Sequence, residues 1–237
     1  MCRNCRSAGA SNCQPVAVPT RQPSRRPAPA MHRSNQPLLV LGTTNAKKRR
    51  ELAPLLEPFG IDCRSLGDFS AVIDVEETGQ SFADNAALKA SQQARSLGQW
   101  VLGEDSGLVV DALDGAPGIY SARFSGADST DAANNRLLLE KLAGVPGPAR
   151  TAHYACHAAI ADPTGKIRAT GAGRCCGLIT KTAQGAGGFG YDPFFLVPEY
   201  HRTFGDLAPA VKALISHRGR AIRALLPIIV RLLTEAA

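Results

Sequence analysis

Apolar residues in this chain alternate between short continuous runs and stretches where they recur every three or four positions. The run Pro37-Leu38-Leu39-Val40-Leu41-Gly42 predicts a central strand covered on both faces. Leu52, Leu55, Leu56 and Phe59 then mark one face of a helix capped by Thr44 or Asn45, which Pro54 should kink or shorten. Residues 61–65 predict a second strand. Ser81 to Asp84 opens another helix in the manner of a capping box. Its face is Phe82, Ala86, Ala90, Ala94 and Leu97, and Gly98 stops it. Asn85 and Lys89, one turn apart, share a face of this helix.

Trp100-Val101-Leu102 predicts a short buried strand with two acids, Glu104 and Asp105, at its end, ahead of Gly107 and a second apolar run. In a regular strand these neighbours point to opposite faces, so a bend at Ser106-Gly107 is what could bring both to one ligand. Further on, residues 130–142 predict a helix, and Gly144-Val145-Pro146-Gly147-Pro148 a hinge. A hairpin follows, its strands at 154–161 and 166–180 joined through Asp162-Pro163-Thr164-Gly165. Residues 184–193 form a glycine-rich loop. The last helix carries Ile222, Leu225, Leu226, Ile229 and Leu233, interrupted by Pro227. Strands that alternate with helices, with acids at a strand end, indicate an α/β sheet with a ligand crevice.

Charge changes the picture only at one end. The net charge of +7 suggests a nucleic-acid partner until it is located. Residues 1–36 contain six arginines and no acid, which leaves 21 basic against 20 acidic side chains in the remaining body. This Pro-, Ser- and Arg-rich tail has no apolar periodicity and is expected to be disordered, with the folded domain spanning 37–237. It lacks the apolar core of a secretory signal, and its prolines oppose the amphipathic helix of a transit peptide. Cys2, Cys5 and Cys13 resemble zinc ligands, but only His32 offers a fourth. Seven cysteines without framework spacing suit free thiols in a reducing cytoplasm. No apolar run is long enough to cross a membrane.

The candidate chemistry lies in the body. Thr43-Thr44-Asn45 with Lys47 and Lys48 joins a strand end to a helix start, where free N–H groups, the helix dipole and ammonium groups favour phosphate. It is not a Walker A loop, because the glycines are missing. Glu76 and Glu77 add acids in a polar loop, and scattered carboxylates suit Mg²⁺ better than a zinc cage. Phe189 offers a stacking face and Asp192 an acceptor for a base edge. His217-Arg218, at a helix start, suits an anion or a base carbonyl. Together these parts point to a nucleoside triphosphate.

Seven motifs, in order from about residue 38 to the C-terminus, resemble the inosine triphosphate pyrophosphatases, the non-canonical purine NTP pyrophosphatases of the Ham1/RdgB type. They are Thr43-Thr44-Asn45-x-x-Lys48-x-x-Glu51, Glu76-Glu77-Thr78-Gly79, Asp84-Asn85-Ala86-x-x-Lys89-Ala90, Asp105-Ser106-Gly107-Leu108, residues 115–123, Gly188 to Pro193, and Lys212 to Ser216-His217-Arg218-Gly219. The resemblance implies a two-lobed α/β fold around a long, twisted mixed sheet with a central active-site cleft, usually as a homodimer. It implies Mg²⁺-dependent hydrolysis of ITP, dITP and XTP to the monophosphate and pyrophosphate. Asp105 becomes the proton acceptor and a metal ligand, with Glu76, and Glu77 as a second candidate, completing the metal site. Asn45, Lys48 and Lys89 fall to the triphosphate, and Thr43, Thr44 and Ser106 to the substrate. Phe189 stacks on the base, with Asp192, Lys212, His217 and Arg218 around it, and Gly190 and Tyr191 also fall to the substrate. Glu104 stands where some relatives have Asp, and Asp84 where Glu is usual. Two other classes are separable by experiment. A nucleic-acid binder acting through the tail would lose affinity steeply with salt, and a regulator without turnover would bind NTP and release no pyrophosphate. The folded domain itself is expected to hold neither nucleic acid nor membrane.

Overall fold

A computed structural model describes residues 36–235, so the expectations for the tail, including the Cys2, Cys5, Cys13 and His32 set, fall outside the described residues. The chain order is β1 (Leu38–Leu41), α1 (Ala46–Leu56), β2 (Asp62–Ser65), α2 (Phe82–Leu97), β3 (Val101–Val110), α3 (Asp131–Lys141), β4 (Thr151–Ala161), β5 (Ile167–Ile179), β6 (Phe195–Val197), β7 (Arg202–Thr203), α4 (Pro209–Ile215) and α5 (His217–Glu235). One seven-stranded sheet runs β2-β1-β3-β4-β5-β6-β7. β1 is parallel to β2 and β3, and the remaining pairs are antiparallel. The fold is α/β with a mixed sheet, as the sequence led one to expect.

β1 sends α1 towards β2 on one side and receives β3 on the other. Right-handed crossovers then put α1 and α2 on opposite faces of the sheet. Packing agrees: Leu39, Leu41 and Leu102 join α1 and α5 in one apolar cluster, whereas Val40 and Val101 join Ala86, Ala90 and Ala94 of α2 in another. The gap between β1 and β3 is therefore a topological switch point, where ligands of open α/β sheets bind. β1 pairs with β3 only at Val40–Val101 and Leu41–Leu102. Beyond Leu102, β3 runs on with a free edge until the bridge from Val109 to Pro117.

The strand expected to end at Leu102 is thus ten residues long. The acids sit in its middle, and no bend occurs at Ser106-Gly107. The glycines serve close approach: a Cβ on Gly103 would lie 2.5 Å from Ala86 O and 2.6 Å from Ala90 N, and one on Gly107 would strike Ser121. Elsewhere α1 passes Pro54 and ends at Leu56, short of the expected face, so Phe59 is 54 % exposed. α5 continues through Pro227 to Glu235. The expected hinge at 144–148 is a braced turn, in which the Arg150 guanidinium donates to the carbonyls of Leu142 and Val145.

On the α5 face of the sheet, a second apolar cluster of Leu108, Tyr154, Phe195 and Phe204 lies beyond the first. Between the two clusters, on the same face, stand Glu104, Ser106 and Cys156. The seam between these two clusters is polar.

Candidate active site

Two cavities of about 330 and 480 Å³ open at the seam and share Phe189, Lys212 and Arg218. The first follows the free edge of β3, with Asn45, Lys48, Lys89, Asp105 and Ser106 in its lining. Asp105 points to the α2 face. Lys89 Nζ lies 2.8 Å from Asp105 Oδ1 and 3.2 Å from Glu77 Oε1, so one ammonium holds two carboxylates. Asn85 donates to Asp105 Oδ2 at 3.4 Å and accepts from Gly79 N at 2.9 Å, which ties the acidic loop to the strand. Burial pushes the Asp105 carboxyl up, and Lys89 only partly offsets this. A carboxylate raised in this way is a better proton acceptor than a free one.

Glu104 faces the other way, as alternation along a regular strand requires. Its carboxylate meets Lys48 Nζ at 2.7 Å and Arg218 Nε at 3.4 Å, and accepts from the Cys156 thiol at 3.4 Å. Burial opposes its charge, but Arg218 and then Lys48 hold the carboxyl well below its ordinary value. Arg218 also pairs with Glu51 and donates to Ser106 Oγ at 2.8 Å. Glu51 meets Lys212 at 2.6 Å, and Lys212 meets Asp192 at 2.5 Å. The result is a chain of alternating charges, Lys48–Glu104–Arg218–Glu51–Lys212–Asp192, along the floor of the seam. Burial pushes the Asp192 carboxyl up against the pull of Lys212.

His217 stacks on Tyr154, with ring centroids 4.6 Å apart. Burial, reinforced by Arg218 and Lys212, keeps its imidazole neutral by holding its pKa well below the usual value, and its Nδ1 has no partner. Phe189 stands over the seam, 5.1 Å from Lys212 Nζ and 5.8 Å from the Arg218 guanidinium carbon.

Most residues expected at the site meet here, some in other capacities. Asn45 lines the cleft, but its side-chain oxygen caps α1 by accepting from the N–H groups of Lys47 and Lys48. Thr43 and Thr44 lie just outside the lining, and Thr43 Oγ1 accepts from Asn45 N. Tyr191 lines the cleft while its hydroxyl donates to Ser121 O at 2.8 Å. Of the two acids left open for metal, Glu77 reaches Lys89, whereas Glu76 is exposed and outside the lining. Among the described residues no three His, Cys, Asp or Glu side chains cluster closely enough to hold a metal alone. Two carboxylates without thiolate or imidazole fit Mg²⁺, which takes one or two protein carboxylates and draws the rest from water and phosphate.

Several residues of the seam carried no assigned role from the sequence. Glu51 was visible in a motif and lies one turn after Lys48 on α1, so the helical repeat gives a signal for it. Glu104 was legible only as a neighbour of Asp105. Asp131 and Tyr154 are brought in by tertiary packing and left no local mark.

The model of the Ham1 family matches residues 39–228. The chain is 50 % identical over 194 residues to the dITP/XTP pyrophosphatase of Rhodopirellula baltica, covering 82 % of this chain and 93 % of that one. It is 51 % identical to the dITP/XTP pyrophosphatase of Desulforamulus reducens, over 82 % of this chain and 96 % of that relative. The solved HAM1 protein of Coxiella burnetii superposes with a TM-score of 0.74 at 36 % identity, over 82 % of this chain and 98 % of its own. Shared sequence across most of the folded body and a shared fold make this chain a member of the Ham1 family.

Proposed function

We propose that this protein hydrolyses non-canonical purine nucleoside triphosphates (ITP, dITP and XTP) to the monophosphate and pyrophosphate. The observation that carries this reading is Asp105 on the free edge of β3, with Lys89 and Glu77 on one side of it and Lys48 across the edge. Water attacks the α-phosphorus, the α–β bridging bond breaks, and pyrophosphate leaves. Asp105 accepts the proton of the attacking water. Lys48 and Lys89 turn their ammonium groups to the phosphate oxygens, and the Asn45 amide, fixed as a helix cap, donates beside them. These charges stand in place before the reaction and oppose the charge that develops on phosphate. Asp105 and Glu77 would hold Mg²⁺, which when bound would supply further positive charge to the triphosphate.

The base enters the seam under Phe189, where Lys212 and Arg218 face its carbonyl edge and the neutral His217 offers an uncharged wall. Nucleotide-pool cleansing of this kind belongs in the cytoplasm. The enzyme works there as a homodimer, with no nucleic acid held by the folded domain. Pyrophosphate release from a panel of nucleoside triphosphates, with and without Mg²⁺, tests the reading. Release from ITP and XTP that needs Mg²⁺ is expected; nucleotide binding with no release from any of them overturns it.

A further inference from the structure

The Phe189 loop is held by a helix, α3, that the charge network does not include and whose Asp131 also lines the cleft. Gly190 follows Phe189, and both of its main-chain polar groups are taken by α3. Its N–H donates to Asp131 Oδ2 at 3.0 Å, and its carbonyl accepts from Asn135 Nδ2 at 2.9 Å. Asp131 and Asn135 are one helical turn apart, so they grip the residue from the same face of α3. The same Asp131 oxygen meets Lys47 Nζ at 2.9 Å, and that ammonium lies 5.7 Å from the Phe189 ring centroid. On the inner side, Asp192 accepts from Phe189 N at 2.7 Å. The loop is thus pinned on both flanks, and the outer flank reaches across the cleft to α1.

We infer that Asp131 and Asn135 are positioning residues, a clamp on Gly190 that sets the Phe189 ring over the base and so governs nucleotide affinity rather than the chemical step. The inference rests on the function proposed above, in which Phe189 stacks on the base. Lys47 and Asp131 are half exposed, and an exposed ion pair contributes little. The weight therefore falls on the two bonds to Gly190. Losing one of these bonds, charge-assisted from Asp131 and neutral from Asn135, corresponds to up to roughly a tenfold change in an equilibrium constant.

Asp131→Ala and Asn135→Ala are each expected to raise KM for ITP about tenfold while kcat stays within about twofold. Inhibition by inorganic tripolyphosphate, which has no base, should change by less than about twofold. Asp131→Asn, whose carbonyl still accepts from Gly190 but which no longer pairs with Lys47, should restore most of the affinity. Hydrogen–deuterium exchange of segment 186–191 in the full chain without nucleotide reads the clamp independently of turnover. It should quicken about tenfold in the alanine variants. Unchanged exchange there defeats the clamp even if ITP is cleaved as proposed. Quickened exchange in a protein that cleaves no NTP keeps the clamp and defeats the functional reading. Equal weakening of ITP and tripolyphosphate defeats the assignment to the base.

Discussion

Glu104 and Asp105 are consecutive acids with opposite surroundings. Asp105 is raised by burial and held by one lysine, while Glu104 is kept ionised by Arg218 and Lys48. Asp105→Asn should keep the fold and lower ITP turnover by at least about 10²-fold, as loss of a general base does. Circular dichroism and pyrophosphate release check the two halves of that statement. Arg218→Met should act on stability as well, since it leaves the buried Glu104 with Lys48 as its one remaining cation and takes a partner from Glu51. Breaking a buried pair from one side costs about 3–5 kcal/mol, readable by urea unfolding. A loss under about 1 kcal/mol would show that the seam admits enough water to make the pair dispensable. His217 gives a pH dependence. Its folded pKa lies below its unfolded value, so the unfolded chain takes up the proton first, and the stability it contributes above about pH 6.5 is lost as pH falls. Between pH 7.5 and 5.5, His217→Phe should lose less stability than the wild type, by up to about 1.4 kcal/mol for each pH unit below 6.5. Equal losses would show that His217 is not held neutral. Much of this was legible in the residues: Asp105, Lys89, Lys212 and Arg218 stand in motifs whose chemistry is specific. The alternation that sends Glu104 to the opposite face was also legible, but not the cations waiting there, because Arg218 is more than a hundred residues away in the chain.

At the scale of elements, β3 runs through the glycines that predict its end. Glycine after an apolar run signals a turn, but a glycine under a helix signals contact, and sequence does not distinguish the two. Gly103 lets α2 lie directly on β3, and α2 carries Asn85 and Lys89 to Asp105. Gly103→Ala should therefore push the helix outward, cost about 1–3 kcal/mol by overpacking, and lower turnover together with stability. Urea midpoints and pyrophosphate release measure both. A variant as stable and as active as the wild type would mean that α2 shifts freely. Boundaries set by a side-chain cap were easier to foresee than those set by packing. Ser81 accepts from Asp84 N and Gly98 closes α2 in the left-handed conformation, as their identities suggested. Pro54 costs α1 one hydrogen bond without stopping it, since the helix is held by Leu52 and Leu56 in the core.

Across the whole molecule, the seam between two apolar clusters decides what can be bound. The donors proposed to face the base, on Lys212 and Arg218, are already paired with Glu51, Asp192 and Glu104. Only a base that offers acceptors in their place repays the exchange, and a 6-amino group does not. Guanine shares the 6-keto group, so its rejection depends on its 2-amino group. ITP and XTP should exceed ATP and GTP by at least about 10²-fold in kcat/KM, because a donor drawn from its carboxylate towards a base group that is itself a donor loses a buried hydrogen bond without replacing it. GTP hydrolysed within about tenfold of ITP would refute this.

The free edge of β3 has one more consequence. An open strand edge invites another chain to pair with it, which is how many sheets begin to aggregate. Here β1 closes one end of the opening at Leu102, and the bridge to Pro117 closes the other at Val109. The window between them is about 20 Å of strand at the usual rise per residue. Helices roof both faces, and charged side chains stand inside. A foreign strand has no straight path in, while a small anion does. The fold can thus keep this edge open to a small anion without offering it to a foreign strand.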